Sequence, residues 1–158
     1  MNTLCEDIRS KKVLVSDGAW GSFLVQKGLQ AGESPERWNL DQPDAIREVA
    51  RIYVETGADI IMTNSFGGSR YKLEHYGLAD QVDAVNEAAA RLSREAAGDN
   101  VQVMASIGPT GKMVIMGDVT EEELYNAFAE QAKALERGGA DAIIVETMSD
   151  ITEGAAGV

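Results

Sequence analysis

Four short apolar runs punctuate the chain: VLVS at 13–16, ADIIMT at 58–63, VQVMASI at 101–107 and ADAIIVE at 140–146. Each is rich in Val and Ile and bounded by Gly or polar residues. That is the pattern of strands covered on both faces, as in parallel sheets. Between the runs the apolar period lengthens to that of a helix. In PDAIREVARIYVETG, Ile46, Val49, Ala50, Tyr53 and Val54 form one stripe with charges opposite. Asp41 is placed to cap this helix just before Pro43, and Gly57 to stop it. Val82, Val85, Ala89, Leu92 and Ala96 mark a second helix. Leu124, Phe128, Ala132 and Leu135 mark a third, opened by a capping-box pair, Thr120 and Glu123, and closed by Gly138 and Gly139.

The order is therefore β-α-β-α-β-α-β. An internal echo supports it. ETGADIIMTN (55–64) and RGGADAIIVET (137–147) both read helix end, glycine, Ala-Asp, apolar strand, polar tip. Repeated strand–helix units imply a parallel sheet with right-handed crossovers. Of the two parallel architectures, a dinucleotide-binding sheet asks for G-x-G-x-x-G after the first strand. DGAWGS offers only G-x-x-G, and no phosphate-binding P-loop is present. A (β/α)8 barrel asks for eight units over roughly 250 residues. The expectation is an α/β fold built of parallel (β/α) units of a TIM-type barrel, with about four strands, half a barrel. Residues 1–12 form a lead-in and 13–158 the half barrel. The segment EGAAGV at 153–158 is expected to fall within the helix after the fourth strand, as in a truncated barrel.

The 158 residues are enough for one core, with 44% apolar and 25% charged residues. No apolar run approaches a membrane span, and MNTLCEDIRSKK lacks the apolar core of a secretory signal. A net charge of −12 argues against nucleic-acid partners. The one cysteine, Cys5, has no internal disulfide partner and is expected as a free surface thiol. This fits a reducing, cytoplasmic setting.

Parallel strands carry functional groups at their C-terminal ends. Here the tips are Asp17 and Gly18, Thr63 and Asn64, the GPTG turn at 108–111, and Glu146 and Thr147. Two carboxylates and an amide on one rim suit an ammonium group. The glycine turn after Asp17 suits a carboxylate. Together they would cradle an amino acid. Plain structural alternatives stand beside this reading. Asp17 before Gly18 is a common turn pair, Glu146 suits a helix start, and Asn64 suits a loop backbone. His75 reads as a surface or cap residue, Trp20 and Trp38 as packing, and GGSR (67–70) as a helix start with a solvated Arg70.

The motifs SDGAWGS, WNLDQPD, GADIIMTNSFGGSRYKL, SIGPTGK and VETMSD, in this order, resemble the homocysteine S-methyltransferase family. The resemblance is nearest to its branch of N-terminal homocysteine-binding modules from cobalamin-dependent methionine synthase, and runs from about Val13 onward. It implies a (β/α)8 barrel that methylates the thiol of homocysteine to give methionine. Asp17 and Glu146 would meet the substrate amino group, and backbone around Gly18, Ala19, Gly21 and Ser22 its carboxylate. Asn64 would sit beside them. Ser22 replaces the usual Thr, and Trp20 the frequent Met or Tyr. The resemblance also implies a catalytic zinc held by three cysteines, expected outside these residues, with cobalamin or methyl-folate on a partner domain or protein. Cys5 matches none of the ligand motifs. The chain is thus expected to recognise the amino acid and, alone, to lack the activating metal. Two alternatives remain at this point. One is a non-catalytic half barrel that binds or assembles, including self-association through open barrel edges. The other is a corrinoid-linked methyltransferase with another acceptor or donor.

Overall fold

A computed structural model describes residues 4–10 and 13–158; residues 1–3, 11 and 12 of the lead-in lie outside the described set. The elements in chain order are α1 (Leu4–Arg9), α2 (Trp20–Gln26), α3 (Trp38–Asp41), α4 (Pro43–Glu55), β1 (Ile60–Met62), α5 (Arg70–Glu74), α6 (Val82–Ala97), β2 (Gln102–Ile107), α7 (Glu121–Arg137), β3 (Ala142–Val145) and α8 (Ile151–Gly157). Short 3₁₀ turns occupy Ala79–Gln81 and Val114–Met116. The sheet is parallel in the order β1-β2-β3, with Met62 beside Met104 and Ser106 beside Ile144. These are successive units of a partial (β/α) barrel.

Side chains alternate across each strand. Ile61, Val103, Ala105 and Ile107 are fully buried in the core clusters formed with α4, α6 and α7. Ile60, Met62, Met104, Ser106 and Ile144 line a cavity on the opposite face. The three long helices form as their stripes predict. Ile46, Val49, Leu92, Leu124 and Leu135 are all 0% exposed. Thr120 and Glu123 make both halves of the capping box. Gly57 and Gly139 end their helices with φ of 95° and 97°, a conformation that excludes most side chains.

The repeated Ala-Asp pair has a shared task. Val15 N donates to Asp59 Oδ2 (2.9 Å) while Asp59 N donates to Val15 O (2.8 Å). Val103 N donates to Asp141 Oδ2 (2.7 Å) while Asp141 N donates to Val103 O (2.8 Å). Each aspartate therefore binds the preceding strand at both its N–H and its C=O. Arg94 of α6 adds an ion pair to Asp141 and a hydrogen bond to Gly139 O.

Several expectations need correction. The run at 13–16 is not a full strand: only Ser16 bridges, to Ile60, and Asp17 N closes onto Ile60 O. Val13 and Val15 are 86% and 58% exposed, because no described element covers them. The other strands are shorter than their apolar runs; in β1 and β3 the first residues join the turns locked by Asp59 and Asp141. Asp41 does not cap α4. It lies in α3 and pairs with Arg37, and Gln42 occupies the cap position. Arg70 is not simply solvated, because it pairs with Glu130 of α7. The GGSR segment does start a helix, with Ser69 Oγ accepting from Lys72 N. Residues 153–157 fall in α8, as expected, with Val158 just beyond its end. Cys5 and His75 are exposed. Among the described residues, no helix is long and apolar enough to cross a membrane.

Candidate functional site

The strand tips open into a cavity of about 620 Å³. Its walls include Asp17, Gly18, Ala19, Gly21, Asn64 and Glu146, so six of the seven sequence-selected residues meet there. Ser22 does not line it. Its hydroxyl reaches back to Ala19 O at 3.4 Å. The floor is apolar, from Trp20, Leu24, Ile60, Met62, Met104 and Ile144, and Phe66 stands at the edge. An apolar floor with a few converging polar groups is the usual composition of a small-molecule site.

Asp17 is tied to the fold on one side. Its Oδ2 accepts from Met62 N (2.7 Å) and Trp20 Nε1 (2.8 Å), and Oδ1 from Ser16 Oγ (3.2 Å). Burial raises its carboxyl above the ordinary carboxylate range, while these hydrogen bonds pull part of the way back. Trp20 is thus more than packing: it orients the acid. Tyr53 donates to Ala19 O at 3.0 Å and fixes the turn from below.

Asn64 is largely committed to the loop. Its Nδ2 donates to Pro35 O (2.7 Å) and Asn39 Oδ1 (2.9 Å), and Asn39 Nδ2 returns to Asn64 O (2.8 Å). This backbone-satisfying role was one of the alternatives that the sequence left open. The rest of the loop is held from behind. Asn86 Nδ2 donates to Gly68 O and Gln131 Nε2 to Ser65 O, each at 2.8 Å. Gly68 lies so close to Asn86 and Gln131 that a Cβ would collide with both.

Sequence reasoning missed Glu36, Ser65 and Ser106 among the cavity residues and named Thr63 only as a strand tip, without a role. Glu36 is 6% exposed and accepts from Gly67 N (2.8 Å) and Ser34 Oγ (2.9 Å). Nothing in its local pattern distinguishes it. Thr63, Ser65 and Ser106 form a circuit whose direction follows from donor counting. Ser106 N donates to Thr63 Oγ1 (3.1 Å), and Ser65 Oγ donates to Ser106 O (2.7 Å). Each hydroxyl has one proton, so Thr63 Oγ1 must donate across the 2.5 Å contact to Ser65 Oγ. Ser106 Oγ is left to donate to Glu146 Oε1 at 2.6 Å. A serine near the end of an otherwise apolar strand was the available signal.

Among the described residues, no group of three or more His, Cys, Asp or Glu is placed to hold a metal. These residues do not fit a bound zinc ion. The chemistry available here belongs to carboxylates, hydroxyls and backbone.

A parallel (β/α) frame carries acids and a glycine turn at its strand tips, on the rim where barrels of this class place their sites. The homocysteine S-methyltransferase family matches residues 14–158, and the chain belongs to that family. It is 31% identical to methionine synthase of Mycobacterium tuberculosis and 30% identical to that of Mycobacterium leprae. These matches cover 93% and 91% of this chain but only 13% of each relative. The homocysteine methyltransferase MmuM from Escherichia coli shares the fold. Its oxidized form superposes with a TM-score of 0.82 at 24% identity, over 98% of this chain and 60% of that one. Its metallated form gives 0.79 at 23%, over 94% and 59%.

Proposed function

We propose that the cavity binds the amino-acid end of homocysteine, as part of a protein that transfers a methyl group to its thiol. The observation that carries this is the meeting of Asp17 and Glu146 above an apolar floor, beside the turn that holds Gly18, Ala19 and Gly21. Three carboxylates, Asp17, Glu36 and Glu146, with no cationic side chain among the described lining residues, favour a ligand that brings its own positive charge. The substrate ammonium would lie between Asp17 and Glu146. Its carboxylate would meet the backbone of the glycine turn, and its methylene chain the apolar floor. Thiol activation by zinc, and a methyl donor carried on cobalamin or folate by a partner, extend this reading from the family resemblance. The chain spans about 60% of the matched MmuM and 13% of the matched methionine synthases, so the complete reaction is part of the proposal.

Calorimetric titration of the 158-residue chain tests the binding claim. L-Homocysteine should bind. Its analogue without the amino group should bind at least about tenfold more weakly, since a charge-assisted hydrogen bond contributes roughly 1.5–3 kcal/mol. Equal affinity for the two would refute the reading.

A further inference from the structure

Thr147 is, among the described residues, the one non-glycine residue with positive φ, at 60°. A β-branched side chain is poorly tolerated there. Both flanks hold the chain in place. On one side, Glu146 N closes the last ladder bond to Ile107 O at 3.0 Å. On the other, Met148 packs on the core, Asp150 caps α8, and buried Glu153 of α8 accepts from Thr110 N. Those anchors explain how the strained turn persists, but not why a threonine occupies it, since glycine would fit without strain.

The neighbouring carboxylate supplies a reason. Thr147 is exposed and lies outside the cavity lining, yet its Oγ1 faces Glu146 Oε2 at 3.5 Å, the outer limit of a hydrogen bond. The other oxygen, Oε1, is held by Ser106 Oγ at 2.6 Å. One hydroxyl therefore stands behind each oxygen of Glu146. We propose that Thr147 is a positioning residue. Its left-handed backbone brings the hydroxyl back onto Glu146 and, with Ser106, fixes the carboxylate in the orientation that receives the substrate ammonium. The substrate part of this statement rests on the function proposed above.

Three variants decide it, read first by stability and affinity together and then by the Glu146 rotamer. Thr147→Gly should leave the folding equilibrium constant unchanged or raise it by up to about tenfold, because relief of strain is partly offset by glycine's greater freedom when unfolded. The same variant should weaken L-homocysteine binding by roughly three- to tenfold. Thr147→Ser keeps the hydroxyl and should restore affinity to within about twofold of the parent. Ser106→Ala should weaken binding comparably. A merely structural threonine would move stability and affinity together. The second readout needs no ligand: three-bond couplings about Glu146 χ1 should report one rotamer in the parent and averaging in Thr147→Gly. A parent-like rotamer in Thr147→Gly, or a loss of stability with unchanged affinity, would overturn the proposal. If the parent chain fails to bind homocysteine, the substrate reading falls, and the Glu146 rotamer still decides the role of Thr147.

Discussion

Acidic residues sit at both ends of the sheet, and the two ends use them differently. At the lower end Asp59 and Asp141 each clasp the preceding strand at its N–H and C=O, and Asp141 is also paired with Arg94. At the upper end Asp17 and Glu146 take hydrogen bonds that orient them but bring no cation. The lower carboxylates complete the fold. The upper ones are the acids to which the proposed function assigns a ligand. Position along the strand, rather than residue type, separates the fold-completing acids from the candidate site acids in this frame.

Substitutions at the two ends should break this contrast in order of size. The largest effect is expected from the glycines. A Cβ on Gly138 would strike Glu87 O and approach Ala90 Cβ to 2.7 Å, where packed helical backbone has no room to move. Gly138→Ala should cost about 3 kcal/mol or more in denaturant unfolding. A Cβ on Gly108 meets the Phe66 ring first, at 2.5 Å, and Phe66 is 41% exposed, a side chain that can give way. Gly108→Ala should cost under about 1.5 kcal/mol while changing the cavity edge, seen as altered ligand affinity. The reverse ranking would show that the upper loop is as rigid as the lower end.

Next come the acids. Asp141→Ala leaves Val103 N and Arg94 without their carboxylate and should cost about 1–3 kcal/mol, with ligand affinity unchanged per folded molecule. Glu146→Gln should change stability by less than about 0.5 kcal/mol and weaken homocysteine binding about tenfold. Matched effects on both readouts at both positions would erase the distinction.

The pH dependence sharpens it further. Asp17 is held above the ordinary carboxylate range, chiefly by burial. Between the ordinary value and the raised native one, the folded chain keeps a proton that the unfolded chain has released. Its contribution to stability therefore falls as pH rises through that window and is level above it. Ammonium binding needs the carboxylate, so affinity rises over the same window. Asp17→Asn should abolish both slopes. Stability and affinity curves that run in the same direction would contradict this assignment. The smallest effect belongs to the outer surface. Arg47→Ala, which removes exposed pairs to Asp44 and Glu95, should stay within about 0.5 kcal/mol, in a thermal melt at low salt.

The three long helices were legible because each carries a long apolar period, and three strands because each is a short Val- and Ile-rich run; the glycines with the Ala-Asp echo marked where units join, while α1, α2 and α3 were not read. It overstated the run at 13–16, since apolar composition reports a preference for burial and cannot supply a covering layer. Asp17, Asn64 and Glu146 were readable from their place at strand tips. Glu36 and Ser65 were not, and Thr63 was readable as a tip but not in its role, because their importance lies in contacts between distant segments: Glu36 with Gly67, and Thr63 and Ser65 with Ser106. Asn64 shows the opposite limit. Its position was readable, but the loop engages its amide nitrogen and backbone oxygen.

The ring of donors through Ser106, Thr63 and Ser65 has one direction and ends on the residue where it began. A closed ring with every proton assigned cannot pass a proton outward. It is an insulator rather than a wire. Glu146 touches it only through the Ser106 hydroxyl, whose single proton already points at the carboxylate. The hydroxyl protons of Thr63 and Ser65, buried and mutually committed, should exchange with solvent only when the strand tips separate.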